Sequence, residues 1–95
     1  PDALPIFCPP GDIVAASVPE FRRTLRSLIQ QGANELVVDL ANVRMIDSSG
    51  IGLLAATHNT LRRSGGALAV RGASPEILEL FTAMRLTQHF RVSAG

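Results

Sequence analysis

The sequence contains no tryptophan, no tyrosine and no lysine, and it has only four phenylalanines and one cysteine. With so few aromatics, the 46% apolar content must be carried by Leu, Ile, Val and Ala, so the core is expected to be aliphatic. A single cysteine, Cys8, excludes an intrachain disulfide, and no Cys/His group has metal-ligand spacing. This usage fits a reducing compartment, and Cys8 is expected to be a small buried residue rather than a redox sensor. All nine basic residues are Arg, and eight acids balance them to a net charge of +1. That near-neutral balance argues against nucleic acid as the main partner, because phosphate backbones are held by a strongly basic field. High apolar content with little net charge also excludes a disordered chain. The longest run with little charge, Met45–Leu61, is interrupted by Asp47 and holds Ser, Gly, His and Asn, so no membrane insertion is expected. The N-terminus has no basic stretch leading into an apolar core, so no signal peptide is expected and the location is read as cytoplasmic.

What the sequence does contain is one domain's worth of alternating elements. Residues 1–95 form a single domain of modest core, without internal repeats or a linker. Leu4–Cys8 is the only strand-like piece before Pro9-Pro10-Gly11. Ser17-Val18-Pro19-Glu20 has capping-box spacing, which predicts that the Ser17 side chain accepts from the Glu20 amide. Val18, Phe21, Leu25, Leu28 and Ile29 then recur at helical spacing, and Gly32 stops the helix. Glu35–Leu40 reads as a strand buried on both faces. Ile51–Arg63 is a second helix with Leu53, Leu54, Thr57 and Leu61 inward, ended by Gly65-Gly66. Ala67–Arg71 is a strand, Ser74-Pro75-Glu76 opens a third helix, and Phe90–Val92 is a last short strand. This order predicts an α/β fold around a mostly parallel sheet with right-handed crossovers.

The chemistry-bearing stretch is Asp47-Ser48-Ser49-Gly50-Ile51-Gly52. Asp and Ser are favoured N-caps, so the simplest reading is a strand-to-helix turn that caps itself. Two successive hydroxyls exceed what capping needs, and helix N-termini stabilise anions, so a phosphate borne or bound there is the functional alternative. Autonomous catalysis is not expected, and no catalytic residue is assigned. The nucleophile elbow G-x-S-x-G is absent, and His58 lies ten residues past Ser48, roughly 15 Å along a helix. His58 and His89 are both read as ordinary surface or half-buried residues. Gly50-Ile51-Gly52 is too short for a nucleotide loop. The pairs Arg22/Arg23 and Arg62/Arg63 read as solvated helix faces.

The compound pattern VVDLANVRMIDSSGIGLLAATHNTLRRSGGALAV, residues 37–70, resembles the STAS domain family, and within it the bacterial anti-sigma factor antagonists. The likeness runs from about Gly11 to Val92. It implies a small, mixed, mostly parallel central sheet with helices mainly on one face. It also implies a phospho-switch. A serine kinase that also holds a sigma factor phosphorylates the serine after the motif aspartate, here Ser48, and a PP2C-type phosphatase restores the hydroxyl. By the same resemblance Ser49 caps the helix, while Asp47 positions the Ser48 hydroxyl or is recognised by the kinase. Asp12, Asp47, Ser49, Gly50 and Ile51 form the partner-binding surface. No resident cofactor or metal is implied, because the kinase brings ATP and Mg²⁺. The alternative is a STAS subunit of a phospholipid ABC transporter or a stress-signalling scaffold, whose turn packs on a partner without a phosphorylation cycle. The chain departs from the family pattern in three places. Val14 stands where a second acid is common after Gly11-Asp12-Ile13, the opening strand is short or missing before Ile6, and Arg85 occupies a position commonly held by glycine.

Overall fold

The computed structural model describes residues 4–94. Along the chain these form strand β1 (Ile6–Phe7), helix α1 (Val18–Gln30), strand β2 (Glu35–Asp39), helix α2 (Ser48–Arg63), strand β3 (Ala67–Ala73), helix α3 (Pro75–Ala83), a 3-10 turn (Leu86–Gln88) and strand β4 (Arg91–Ala94). The sheet order is β1-β2-β3-β4, and every pairing in it is parallel. The expected α/β alternation is therefore present, and the crossover helices lie mainly on one face of the sheet.

Strand alternation shows which face is covered. Leu36 and Val38 of β2 and their register partners Leu68 and Val70 of β3 are buried, whereas Val37 and Ala69 between them are only half-buried. The expectation that Glu35–Leu40 is buried on both faces is thus corrected. The apolar triplet Leu36-Val37-Val38 reads as two-sided, but Val37 shares the open face with Ile6, its partner in β1. Val18, Phe21 and Leu25 of α1, Leu53, Leu54, Thr57 and Leu61 of α2, and Ile77 and Phe81 of α3 supply the other wall of the core. Short β1 is anchored to this layer by the Phe7 ring, which meets Phe21 edge-on at 5.4 Å. Cys8 is exposed, contrary to expectation, because the chain is leaving the sheet there; Asn42 Nδ2 reaches its Sγ at 3.7 Å.

Helix ends follow local chemistry in most places. Gly32 and Gly65 both take positive φ, +101° and +80°, just past α1 and α2. In each case the next two amides fold back: Gly32 N–H to Ile29 and Ala33 N–H to Leu28, then Gly65 N–H to Arg62 and Gly66 N–H to Leu61. Ser74 caps α3 by accepting from the Ile77 amide at 3.2 Å. The capping box at Ser17 does not form. Ser17 has helical dihedrals already, and its hydroxyl turns back into the preceding loop, accepting from Val14 N–H at 3.0 Å and donating to the Asp12 carbonyl at 2.7 Å. Its role is to hold the loop that faces the motif turn.

The third helix ends on Arg85 at φ 58°, the one non-glycine residue with positive φ among those described. A side chain there crowds the following carbonyl. Arg85→Gly should therefore raise stability by about 0.5 kcal/mol, the relieved strain being partly offset by the extra freedom of glycine in the unfolded chain. Thermal melting should report a gain of about 2–4 °C.

Candidate functional site

Beyond β2 the chain crosses the carboxyl end of the sheet, where Leu40, Val43 and Ile46 are buried and Arg44 and Met45 are exposed. It is pinned there by a second loop, residues 11–17. Ile13 and Ile46 form an isolated parallel bridge, with Ile13 N–H donating to Met45 O at 3.1 Å and Asp47 N–H donating to Ile13 O at 3.2 Å. Both isoleucine side chains point into the core, which fixes the register of the two loops.

Two carboxylates complete the clamp from opposite sides. Asp12 Oδ1 accepts from the amides of Arg44 at 2.9 Å and Met45 at 3.1 Å. Asp47 Oδ2 accepts from Ala15 N–H at 2.9 Å, and its Oδ1 accepts from Gly50 N–H at 2.9 Å. Asp47 is therefore the N-cap of α2. This corrects the expectation that Ser49 caps the helix: α2 begins at Ser48, three residues before the expected Ile51, and Ser49 already lies inside its first turn. The Gly50, Ala15 and Ser49 amides, in that order with burial opposing between the second and third, hold the Asp47 carboxyl below its ordinary pKa. Asp12 and Asp47 thus spend their carboxylates on backbone amides, Asp12 on the facing loop and Asp47 on the facing loop and its own helix, the organising use of an acid in a turn.

The two serines are exposed, and Ser48 opens the helix. Gly50 and Ile51 behind them are buried. A Cβ on Gly50 would stand 2.2 Å from the Ile13 carbonyl oxygen and 2.7 Å from Ile46 Cγ2, so the helix start is pressed against the loop clamp. The structure thus brings Asp12, Asp47, Ser48, Ser49, Gly50 and Ile51 to one place. Met45, 58% exposed, flanks the turn and is absent from the sequence-based site. The signal for it was the alternation in Met45-Ile46, which sends one side chain inward and the other outward from an extended backbone.

His58 is neither the surface nor the half-buried residue expected from sequence. It is 4% exposed, on the inner side of α2, and its Nδ1 accepts from the Leu68 amide of β3 at 3.2 Å. The neighbouring strand β4 begins pairing only at Ala69↔Arg91, so His58 supplies the acceptor that the sheet lacks one residue earlier. Burial first, then the nearby positive charge of Arg62 and His89, depresses its pKa below 6.5. As the pH falls below the unfolded value of 6.5, the unfolded chain takes up a proton that folded His58 refuses, and stability declines towards the lower folded pKa. The depressed carboxylates, Asp47 and Asp39, act later. Asp39 is held down chiefly by the Ala41 amide and then by Arg71, and the contribution of both acids is present above 3.8 and lost as pH falls below it. Melting followed from neutral to acid pH should show two declines. His58→Phe should flatten the first and leave the second.

Fold and turn together define a small one-sheet α/β domain that presents a serine at the start of a helix on a doubly clamped loop. The STAS domain family model matches residues 1–94, and the chain belongs to that family. It is 33% identical over 85 residues to an anti-sigma-B factor antagonist of Staphylococcus epidermidis, covering 90% of this chain and 79% of that protein. Among solved structures, a putative anti-sigma factor antagonist from Thermotoga maritima superposes with a TM-score of 0.88 at 18% identity, covering 95% of this chain and 78% of that one. The Bacillus cell fate determinant SpoIIAA in its phosphorylated form superposes with a TM-score of 0.71 at 20% identity, covering 92% and 79%.

Proposed function

We propose that this chain is an anti-sigma factor antagonist. In this reading it is a binding module of the cytoplasm that docks on an anti-sigma serine kinase through the Ser48 turn and leaves when Ser48 is phosphorylated. A PP2C-type phosphatase then resets it. The observation that carries the proposal is the exposed Ser48 hydroxyl at the first position of α2, on a turn that Asp12 and Asp47 hold in one shape. A kinase substrate needs an accessible hydroxyl in a fixed place, since the kinase supplies the base, the nucleotide and the metal. Gly50 and Ile51, buried behind the serines, fix the shape of the turn, while Met45 and the serines offer contact. Gly52 adds support. It is exposed, a Cβ there would touch nothing within 4 Å, and glycine in a helix costs about 1 kcal/mol relative to alanine. It lies one turn beyond Ser48 on the same helix face, where its bareness leaves room for a partner's backbone.

The modified state is compatible with the fold. A phosphate on Ser48 lies at the amide end of α2, where the helix dipole favours negative charge. The switch then works at the interface, by bringing about −1.5 to −2 charge and its hydration into a close contact. The reading is tested by incubating the chain with its partner kinase and Mg-ATP and mapping the product by mass. One phosphate at Ser48 is expected. A phosphate at Ser49 would reassign the acceptor, and none from a kinase that binds the chain would favour the transporter or scaffold role.

A further inference from the structure

The helices cross over between neighbouring strands of the sheet, so they lie side by side in the order α1, α2, α3. All run the same way, because each joins one parallel strand to the next. The outer surface of this layer changes charge from one side to the other. On α1, Arg22, Arg23 and Arg26 are exposed. On α3, Ile77 and Phe81 bury one side, and Glu76 and Glu79, about one turn apart, stand exposed on the other. No basic residue falls within Pro75–Ala83. Between them α2 exposes Gly52, Ala56 and Asn59, which are small or uncharged.

Among the described residues the one ion pair joins Arg71 and Asp39 in the sheet, so neither the α1 arginines nor the α3 glutamates are paired within the chain. Arg22 and Arg26, one turn apart, line a shallow groove between α1 and α2 with Ile29, Ala56 and Thr60. The groove holds roughly 130 Å³, below the ~300 Å³ at which small-molecule sites begin, so it suits the side chains of a packed helix. Its α2 wall has no free hydroxyl proton, since Thr57 and Thr60 donate to the Leu53 and Ala56 carbonyls at 2.7 and 3.0 Å. The charged groups on the groove are the two guanidiniums, and their natural partners are carboxylates.

We infer that the helix layer pairs with a second copy of this chain, α3 of each copy lying along the α1–α2 groove of the other, with Glu76 and Glu79 against Arg22 and Arg26. A twofold axis parallel to the helices forms both contacts at once, because α1 and α3 flank α2 on opposite sides and exchange places under the rotation. The contact is therefore isologous and closes at two copies. At its centre α2 meets α2. A Cβ on Gly52 would meet nothing within 4 Å and Ala56 is small, so no bulky side chain holds the two helices apart there. The pairing stands on the charges of the helix layer and not on the role of Ser48. It covers the Gly52 side of α2, so a partner docked there and the second copy exclude each other.

Sedimentation equilibrium of the whole chain tests this. A monomer–dimer equilibrium is expected, with a dissociation constant on the order of 100 µM, as suits a small and polar contact. It should weaken as salt is raised. Arg22→Glu with Arg26→Glu should weaken pairing at least about ten-fold, and so should Glu76→Arg with Glu79→Arg, because like charges then face each other. All four positions are exposed, so both variants should keep the circular dichroism of the wild type. An equimolar mixture of the two variants should recover most of the wild-type affinity, since every contact in the mixed pair again joins opposite charges. A chain that stays monomeric up to about 1 mM, ten times the expected constant, would overturn the inference. So would association indifferent to these reversals, or a mixture no better paired than its components.

Discussion

Replacing Gly50 by alanine is expected to lower stability by about 3 kcal/mol, the upper end of what overpacking a closed site costs. The added methyl would lie 2.2 Å from the Ile13 carbonyl oxygen, 2.7 Å from Ile46 Cγ2 and 3.0 Å from Ile13 Cγ2. None of these can yield cheaply. The carbonyl accepts from Asp47 N–H, and the two isoleucines are 1% and 6% exposed in the core. For a domain of this size that loss lowers the melting temperature by about 12–24 °C. Gly52→Ala is the matched control. It lies two residues away in the same helix with open space around it, and should be neutral or stabilising by up to about 1 kcal/mol. A Gly50→Ala protein that melts within a few degrees of the Gly52→Ala protein would show that α2 does not start pressed against the 11–17 loop.

Charge at Ser48 carries the second large effect. Ser48→Ala should bind the anti-sigma partner within a few-fold of the wild type and should resist inactivation, because a methyl is small and cannot accept phosphate. Ser48→Asp should bind at least about ten-fold more weakly, a loss near 1.4 kcal/mol, since in the proposed docking a fixed charge replaces a hydroxyl at the contact. Aspartate carries less charge than phosphate and fewer acceptor oxygens, so its effect should fall short of phosphorylation itself. Both variants should fold, because the cap is Asp47 and its bonds to Gly50 and Ala15 do not involve the Ser48 side chain. Circular dichroism establishes that before affinities are compared.

The parts of this architecture that rest on local chemistry were legible in the sequence. The apolar spacing of α1 and α2, the Gly32 and Gly65 stops and the Ser74 cap each depend on neighbours a few residues away, and each stands where the pattern put it. Other readings fared differently, one because a local partner competed and two because the deciding partners were distant. Ser17 has capping-box spacing, but its hydroxyl found the Asp12 carbonyl and Val14 amide first. The burial of His58 depends on where β4 starts, more than thirty residues later, and no periodicity within α2 discloses that. The one-sided burial of β2 reflects an open sheet face that the apolar triplet Leu36-Val37-Val38 conceals.

The candidate site divides along the same line. Aspartate, serine and glycine at a strand-to-helix turn were readable as a cap from local preference alone. What makes the turn rigid, namely the bridge from Ile13 to Ile46 and the two carboxylates reaching across to the other loop, joins positions 32 or 33 residues apart. Asp12 was singled out through family likeness, but its physical task, holding the Arg44 and Met45 amides, is visible only in three dimensions. Val14, which replaces a commonly acidic residue, leaves this clamp intact because the carboxylates in use belong to Asp12 and Asp47.

The most direct test compares one preparation of the chain before and after phosphorylation at Ser48, titrated into the same anti-sigma kinase by calorimetry at fixed salt. The expected result is tight binding of the unmodified protein and a loss of about a hundred-fold or more on phosphorylation, with unchanged circular dichroism. That loss corresponds to about 2.7 kcal/mol, within reach of a phosphate forced into a like-charged or desolvated contact. Equal affinity before and after, with the phosphate verified on Ser48, would contradict the account and leave residues 47–51 as a helix cap alone.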